Sequence, residues 1–286
     1  MNIILMLLPA VAWGILPLAV ERINGRPVNQ IFGTAVGTLL VSFIVYAVIH
    51  PTISLASFIL AAFAGGFWII GQLGQYTAYH EIGVSQTMPI STGLQLIGTS
   101  LIGVFLFGEW ASSNAKIFGV IGILLLIIGI SLTAVHDRKM QQSKNSSQTK
   151  TLIMLFLTTF GFLVYNAIPK AMATSGLAIF LPESVGMVIA VLIYISATHQ
   201  PKVLREKASW QSLLAGIIFS FAAITYILSV RDNGVNSAFV VSQLSVVIST
   251  IGGMVFLHEK KSHRELSFTL IGLFLIVIGA ITTTII

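Results

Sequence analysis

Apolar residues in this chain come in long unbroken runs, and the polar residues either separate the runs or sit inside them at helical spacing. Ten runs, at roughly 3–20, 28–49, 54–79, 84–107, 115–135, 151–169, 179–198, 208–230, 235–257 and 266–285, are long enough to cross a bilayer. About 20 mostly apolar residues span the hydrocarbon as a helix, whereas barrel strands alternate over about 10 residues. The pattern therefore predicts an all-α integral membrane protein with ten transmembrane helices. It also repeats. Gly83-Val84-Ser85 through Phe107-Gly108-Glu109 returns as Gly234-Val235-Asn236 through Leu257-His258-Glu259, and Phe118, Gly122, Gly129 and Thr133 return as Phe268, Gly272, Gly279 and Thr283. Two related five-helix units follow, residues 1–135 and 151–286, joined by a polar linker over 136–150. A hydrophobic chain built twice is the usual mark of a transporter, with its substrate site where the repeats meet near the middle of the membrane.

Polar side chains inside a span face the bundle interior or a watery cavity, because leaving them unpaired in hydrocarbon costs a few kcal/mol. The third run carries Trp68, Gln72, Gln75, Tyr76 and Tyr79 on one helical face. The matching places in the eighth run are Phe219, Ala223, Tyr226, Ile227 and Val230, with no amides. A packing role alone gives no reason for glutamines in one copy only. Amides supply donors and acceptors, and aromatic rings supply flat apolar faces. Together they suit a sugar and do not suit an anion, although glutamines also serve as glue between helices. The fourth run adds Ser91, Gln95 and Thr99 after Pro89, a residue that kinks a helix by removing one backbone hydrogen bond. Ser242, Ser245 and Ser249 echo the hydroxyls in the ninth run, so helix packing accounts for Ser and Thr at least as well as a ligand does. Trp13 before Pro17, and Asn166 before Pro169, complete the candidate lining from the first and sixth runs. Asn29 and Gln30 open the second run as a cap or a gate, and Gly33 and Gly37 form a close-contact pair.

The acids all lie at or near helix ends or in loops, none at a bilayer centre. Glu109 and Glu259 occupy equivalent ends and read as structural parts of short turns. Glu183 has Gln30 as its counterpart, is the least scaffold-like, and is the candidate for proton coupling.

Composition narrows the class further. Hydrophobic residues make up 56% of 286, charged ones 8%, and mean hydropathy is +0.95. The absence of cysteine removes disulfides and thiolate metal sites. The formal charge of +6 needs no nucleic acid to explain it. Of 15 Lys and Arg, 12 fall in the loops after the odd-numbered runs, among them Arg22, Arg26, Lys202, Arg205 and Lys260. The positive-inside rule then puts those loops in the cytoplasm and both termini outside. No signal peptide is expected, since no basic residue precedes the first run. No enzyme, metal or cofactor motif survives: His258-Glu259 through His263 misses the zinc spacing by one residue, and there is no phosphate loop or nucleophile elbow.

These residues resemble those of the glucose/ribose porter family, a sugar-uptake branch of the drug/metabolite transporter superfamily. The resemblance rests on Pro27-Val28-Asn29-Gln30-Ile31-Phe32-Gly33-Thr34, Gly71-Gln72, Met88-Pro89-Ile90-Ser91-Thr92-Gly93-Leu94-Gln95, Gly108-Glu109-Trp110 and Ser242-Gln243. It implies that the two five-helix repeats are inverted, and that the protein imports a monosaccharide together with protons. The first half looks nearer to glucose members, whereas Phe180-Leu181-Pro182 and Gly186-Met187-Val188-Ile189 look nearer to ribose members. The alternatives are a metabolite or drug exporter of the same superfamily and an uncoupled sugar carrier.

Overall fold

A computed structural model describes residues 2–135, 145–172 and 176–284, and no strand occurs among them. The helices are α1 (Ile3–Glu21), α2 (Pro27–Ile49), α3 (Leu55–Ile82), α4 (Val84–Phe107), α5 (Ser113–Thr133), α6 (Asn145–Ala171), α7 (Phe180–Ala197), α8 (Lys207–Gln211), α9 (Leu213–Asn233), α10 (Val235–Ser242), α11 (Leu244–Phe256) and α12 (His263–Thr284). Ten spans among the described residues are long and apolar enough to cross a membrane. The eighth is α8 with α9, broken at Ser212, and the ninth is α10 with α11, broken at Gln243. Residues 136–144 of the expected linker lie outside the described residues, while 145–150 already belong to α6.

Lipid tails are as apolar as leucine, so these helices hold together by close packing at small residues. Gly122 meets the Gly279 carbonyl and Thr283, and Gly129 meets the Gly272 carbonyl. Equivalent helices α5 and α12 thus pack antiparallel, through glycines that the repeat preserves. Gly33 and Gly37 meet the carbonyls of Ser209 and Leu213, as the spacing predicts. The partnerships are symmetric as well. α3 packs on α6 and α7, while α9 packs on α1 and α2; α1 packs on α11, while α6 packs on α4. Each of these interfaces between the halves has its counterpart when the halves are exchanged.

Connections gather at two ends. At one, the Arg26 guanidinium and the Asn29 amide donate to Glu206, and the Arg22 guanidinium donates to the Phe256 carbonyl. The Asn29 and Arg26 hydrogen bonds, with the Arg26 charge, hold the Glu206 carboxyl below its usual range. At the other end the Asn2 amide donates to Asn233, and Lys170 pairs with Glu109. Loops after the first, third, seventh and ninth spans therefore share one end, and those after the fourth, sixth and eighth share the other.

Candidate functional site

A cavity of about 590 Å³ lies between the halves, within the ~300–1,000 Å³ common for small-molecule sites. Its wall draws on both halves. Trp13 comes from α1, Trp68, Gln72, Gln75 and Tyr79 from α3, Gln95 from α4, Tyr165 and Asn166 from α6, and Glu183 from α7. Phe219 and Tyr226 come from α9, and Gln243 from the α10–α11 junction. The face of α3 that repeats at four and seven residues is what brings its tryptophan, both amides and Tyr79 to one wall. Tyr76, on the same stripe, turns away: it is fully buried and its hydroxyl pairs with Thr34 at 3.1 Å.

The amides are joined in one chain. Gln72 Nε2 donates to Gln75 Oε1 at 2.9 Å, and Gln75 Nε2 donates to Ser91 Oγ at 2.9 Å. Gln95 Nε2 also donates to Ser91 Oγ, at 3.3 Å. Ser91 is 1% exposed and stands behind the amides, off the wall. In this arrangement each of the three amide nitrogens commits one of its two hydrogens to a protein partner, and the carbonyl oxygens of Gln72 and Gln95 have no partner among the described residues. They are fixed acceptors for hydroxyl donors.

Aromatic rings line the same cavity. Trp68 and Phe219 lie 4.8 Å apart between centroids, and Trp13 and Tyr226 lie 5.4 Å apart. In each pair one ring comes from the first half and one from the second, so the apolar faces straddle the seam. Tyr79 closes the floor with its hydroxyl 3.0 Å from the Met88 sulfur.

Glu183 sits deeper than its place in the chain implies. It belongs to the first turn of α7, yet its backbone carbonyl packs on Gly65, eleventh of the 28 residues of α3. Gly65 is about 5 Å of helix rise from the middle of α3. The helix starts inside the molecule because glycines at 65 and 186 let its first turns cross α3 in backbone contact. Glu183 thus stays at a helix end, as expected, while that end lies against the inner part of α3. Its carboxylate is 5% exposed as a residue, and Tyr165 donates a hydrogen bond to it at 3.2 Å.

Of the sequence candidates, Trp13, Trp68, Gln72, Gln75, Tyr79, Gln95, Asn166 and Glu183 line the cavity, and only Ser91 acts from behind. Asn29 and Gln30 are structural. Asn29 receives the Arg26 amide and donates to Glu206 and Ser209, and Gln30 donates to the Val20 carbonyl. Phe219, Tyr226 and Gln243 are additions that the reading of single spans does not single out.

The cavity reaches Phe107, Lys170 and Gly176 at the end shared by the even-numbered loops. Its lining residues carry no charged side chain apart from Glu183 and the paired Lys170 at the mouth. The family described as "Sugar transport protein" matches residues 4–286. The chain belongs to that family. A Lactobacillus johnsonii protein named for sugar uptake is 50% identical, over 99% of both chains. A Latilactobacillus sakei protein named for ribose uptake is 39% identical, over 99% of this chain and 97% of its own. The Bacillus subtilis glucose uptake protein is 37% identical over 98% and 97%. A solved crystal structure 14% identical to this chain, with a TM-score of 0.66, covers 99% of this chain and 96% of that one, a likeness of fold alone. Members of this sugar transport family are transporters and not enzymes, and the ten apolar spans make this one a multi-pass membrane protein.

Proposed function

We propose that this protein imports a neutral monosaccharide, glucose or ribose, across the cell membrane by alternating access, coupled to protons. The observation that carries the reading is the cavity wall. Amide acceptors at Gln72 and Gln95 and the rings of Trp13, Trp68 and Phe219 line one space of about 590 Å³. A pyranose or furanose offers hydroxyls to such amides and a C–H face to such rings. Trp13, Trp68, Gln72, Gln75, Tyr79, Gln95 and Asn166 hold the sugar, Ser91 orients Gln75 and Gln95, and Glu183 carries the proton, with Tyr165 as its hydrogen-bond partner.

Two inverted five-helix repeats, 1–135 and 151–286, move against each other about the fixed site. The antiparallel α5–α12 pair supports the inversion. The basic loops after odd-numbered spans lie in the cytoplasm and both termini outside, a reading supported by the shared end those loops occupy.

An uncoupled carrier, or an exporter of another metabolite, remains the competing reading. Uptake of labelled glucose and ribose into proteoliposomes, with and without an imposed pH gradient, separates the three. Accumulation of one sugar only with the gradient supports symport. Equilibration without it makes the protein a uniporter, and no movement of either sugar removes the sugar reading.

A further inference from the structure

The repeat places two glutamates at matching positions, and the structure uses them differently. Glu109 follows α4 and Glu259 follows α11, and both make the same backbone turn: the Glu109 amide donates to the Gly103 carbonyl at 3.0 Å, and the Glu259 amide to the Gly253 carbonyl at 3.3 Å. The glycines that open the opposing helices also match, Gly83 with φ +84° before α4 and Gly234 with φ +83° before α10. The carboxylates diverge. Glu259 accepts from the Val84 amide at 2.6 Å and the Ser85 amide at 2.8 Å, and its carboxylate atoms sit about 3 Å from where a Cβ on Gly83 would be. Gly83 has no side chain to cap α4, so Glu259 supplies the cap from the other half of the chain. A carboxylate at a helix N-terminus satisfies orphan amides and complements the helix dipole. Glu109 does nothing of the kind here. Lys170 takes its carboxylate, and nothing lies within 4 Å of the corresponding point on Gly234.

This difference coincides with the direction in which the cavity opens. Phe107, Lys170 and Gly176, at the Glu109 end, line the cavity, while the Gly83 and Glu259 turns do not. The capped end is the sealed end.

We infer that Glu259 and Glu109 are alternating latches: Glu259 on the first turn of α4 seals one face, and Glu109 on the first turn of α10 seals the other when the cavity opens the opposite way. Exchanging the halves of this structure generates that second state. The Glu109 carboxylate then leaves Lys170 for the Val235 and Asn236 amides, and Glu259 releases α4. Two like caps that cannot both be closed around an open cavity give the protein two states separated by local hydrogen bonds. The inference rests on this cavity being the transport path, but its labelling test uses no sugar, so its failure and the failure of the sugar reading are separately visible.

The chain has no cysteine, so an introduced thiol reports without background. Ala223→Cys, on the α9 wall of the cavity, is labelled with a membrane-impermeant maleimide in vesicles of both orientations. The readout is the ratio of the rate from the Glu109 face to the rate from the Glu259 face. Glu259→Gln is expected to lower this ratio and Glu109→Gln to raise it, each by about tenfold, the effect of one charge-assisted hydrogen bond. Shifts in the same direction, or no shift in either variant, overturn the proposal, since loss of a merely structural turn has no reason to act in opposite senses. A second measurement guards against a variant that does not fold. Glu109→Cys with Asn236→Cys is expected to form a reducible disulfide that traps the alternative state and stops transport until reduced. A pair that never cross-links in actively cycling protein overturns the proposal as well.

Discussion

Gln72, Gln75, Ser91 and Gln95 act as a unit, because each nitrogen that donates within the chain fixes which oxygen faces the cavity. Gln72→Ala or Gln95→Ala removes an acceptor and leaves a polar neighbour short of a partner. Either change is expected to abolish sugar uptake while the protein reaches the membrane at normal levels, measured by transport against immunoblot. Ser91→Ala touches no ligand and instead frees two amides to rotate. It is expected to raise KM roughly 5–30-fold with little change in kcat, from the ~1–2 kcal/mol that a misdirected buried hydrogen bond costs. Glu183→Gln keeps the shape and the Tyr165 contact but cannot shuttle a proton. Gradient-driven accumulation is expected to vanish while sugar exchange at equal concentrations persists; unchanged accumulation assigns coupling elsewhere. Most of this site is legible in the sequence, because amides are rare in hydrocarbon and three of them sit on two helical faces. The placement of Ser91 is not, since a short hydroxyl shares the face of Gln95 yet ends behind it. Phe219 and Tyr226 are hidden for another reason: aromatic residues at helical spacing look the same whether they meet a core or a cavity.

Helix boundaries follow from the apolar runs to within a few residues, whereas the depth of each helix does not. α7 is the telling case. Its sequence places Glu183 near a helix end, and only the crossing with α3 shows how far inside that end lies. The crossing depends on glycine. A Cβ at Gly186 would lie 1.7 Å from the Ala62 carbonyl oxygen, and one at Gly65 would lie 1.9 Å from that of Glu183. Neighbouring Gly66 has room, its nearest contact being Ala190 at 3.7 Å. Gly186→Ala is therefore expected to lower the melting temperature in detergent, at a cost of about 1–3 kcal/mol or more from overpacking, while Gly66→Ala is nearly neutral. Equal melting of the two variants would contradict the backbone contact on which the depth of Glu183 depends. The breaks at Ser212 and Gln243 carry no proline or glycine and so give no sequence signal.

Across the whole molecule, the repeat tells more than any single motif. The partnerships of helices across the halves share its symmetry, and the cavity lies on the seam it marks. What it cannot foretell is how the two copies differ in one structure: three glutamines on the wall come from the first half and one from the second, and only one of two matching glutamates caps a helix. Sequence symmetry describes the average of the states, and a structure describes one. The account turns on a sugar occupying the seam between Gln72 and Phe219. The most direct measurement is protection of Ala223→Cys against a thiol reagent by glucose and by ribose, in the wild-type lining and in Gln72→Ala. The expected result is concentration-dependent protection by the sugar that wild-type protein takes up, with none in Gln72→Ala. Undiminished labelling at saturating concentrations of the transported sugar would contradict the account.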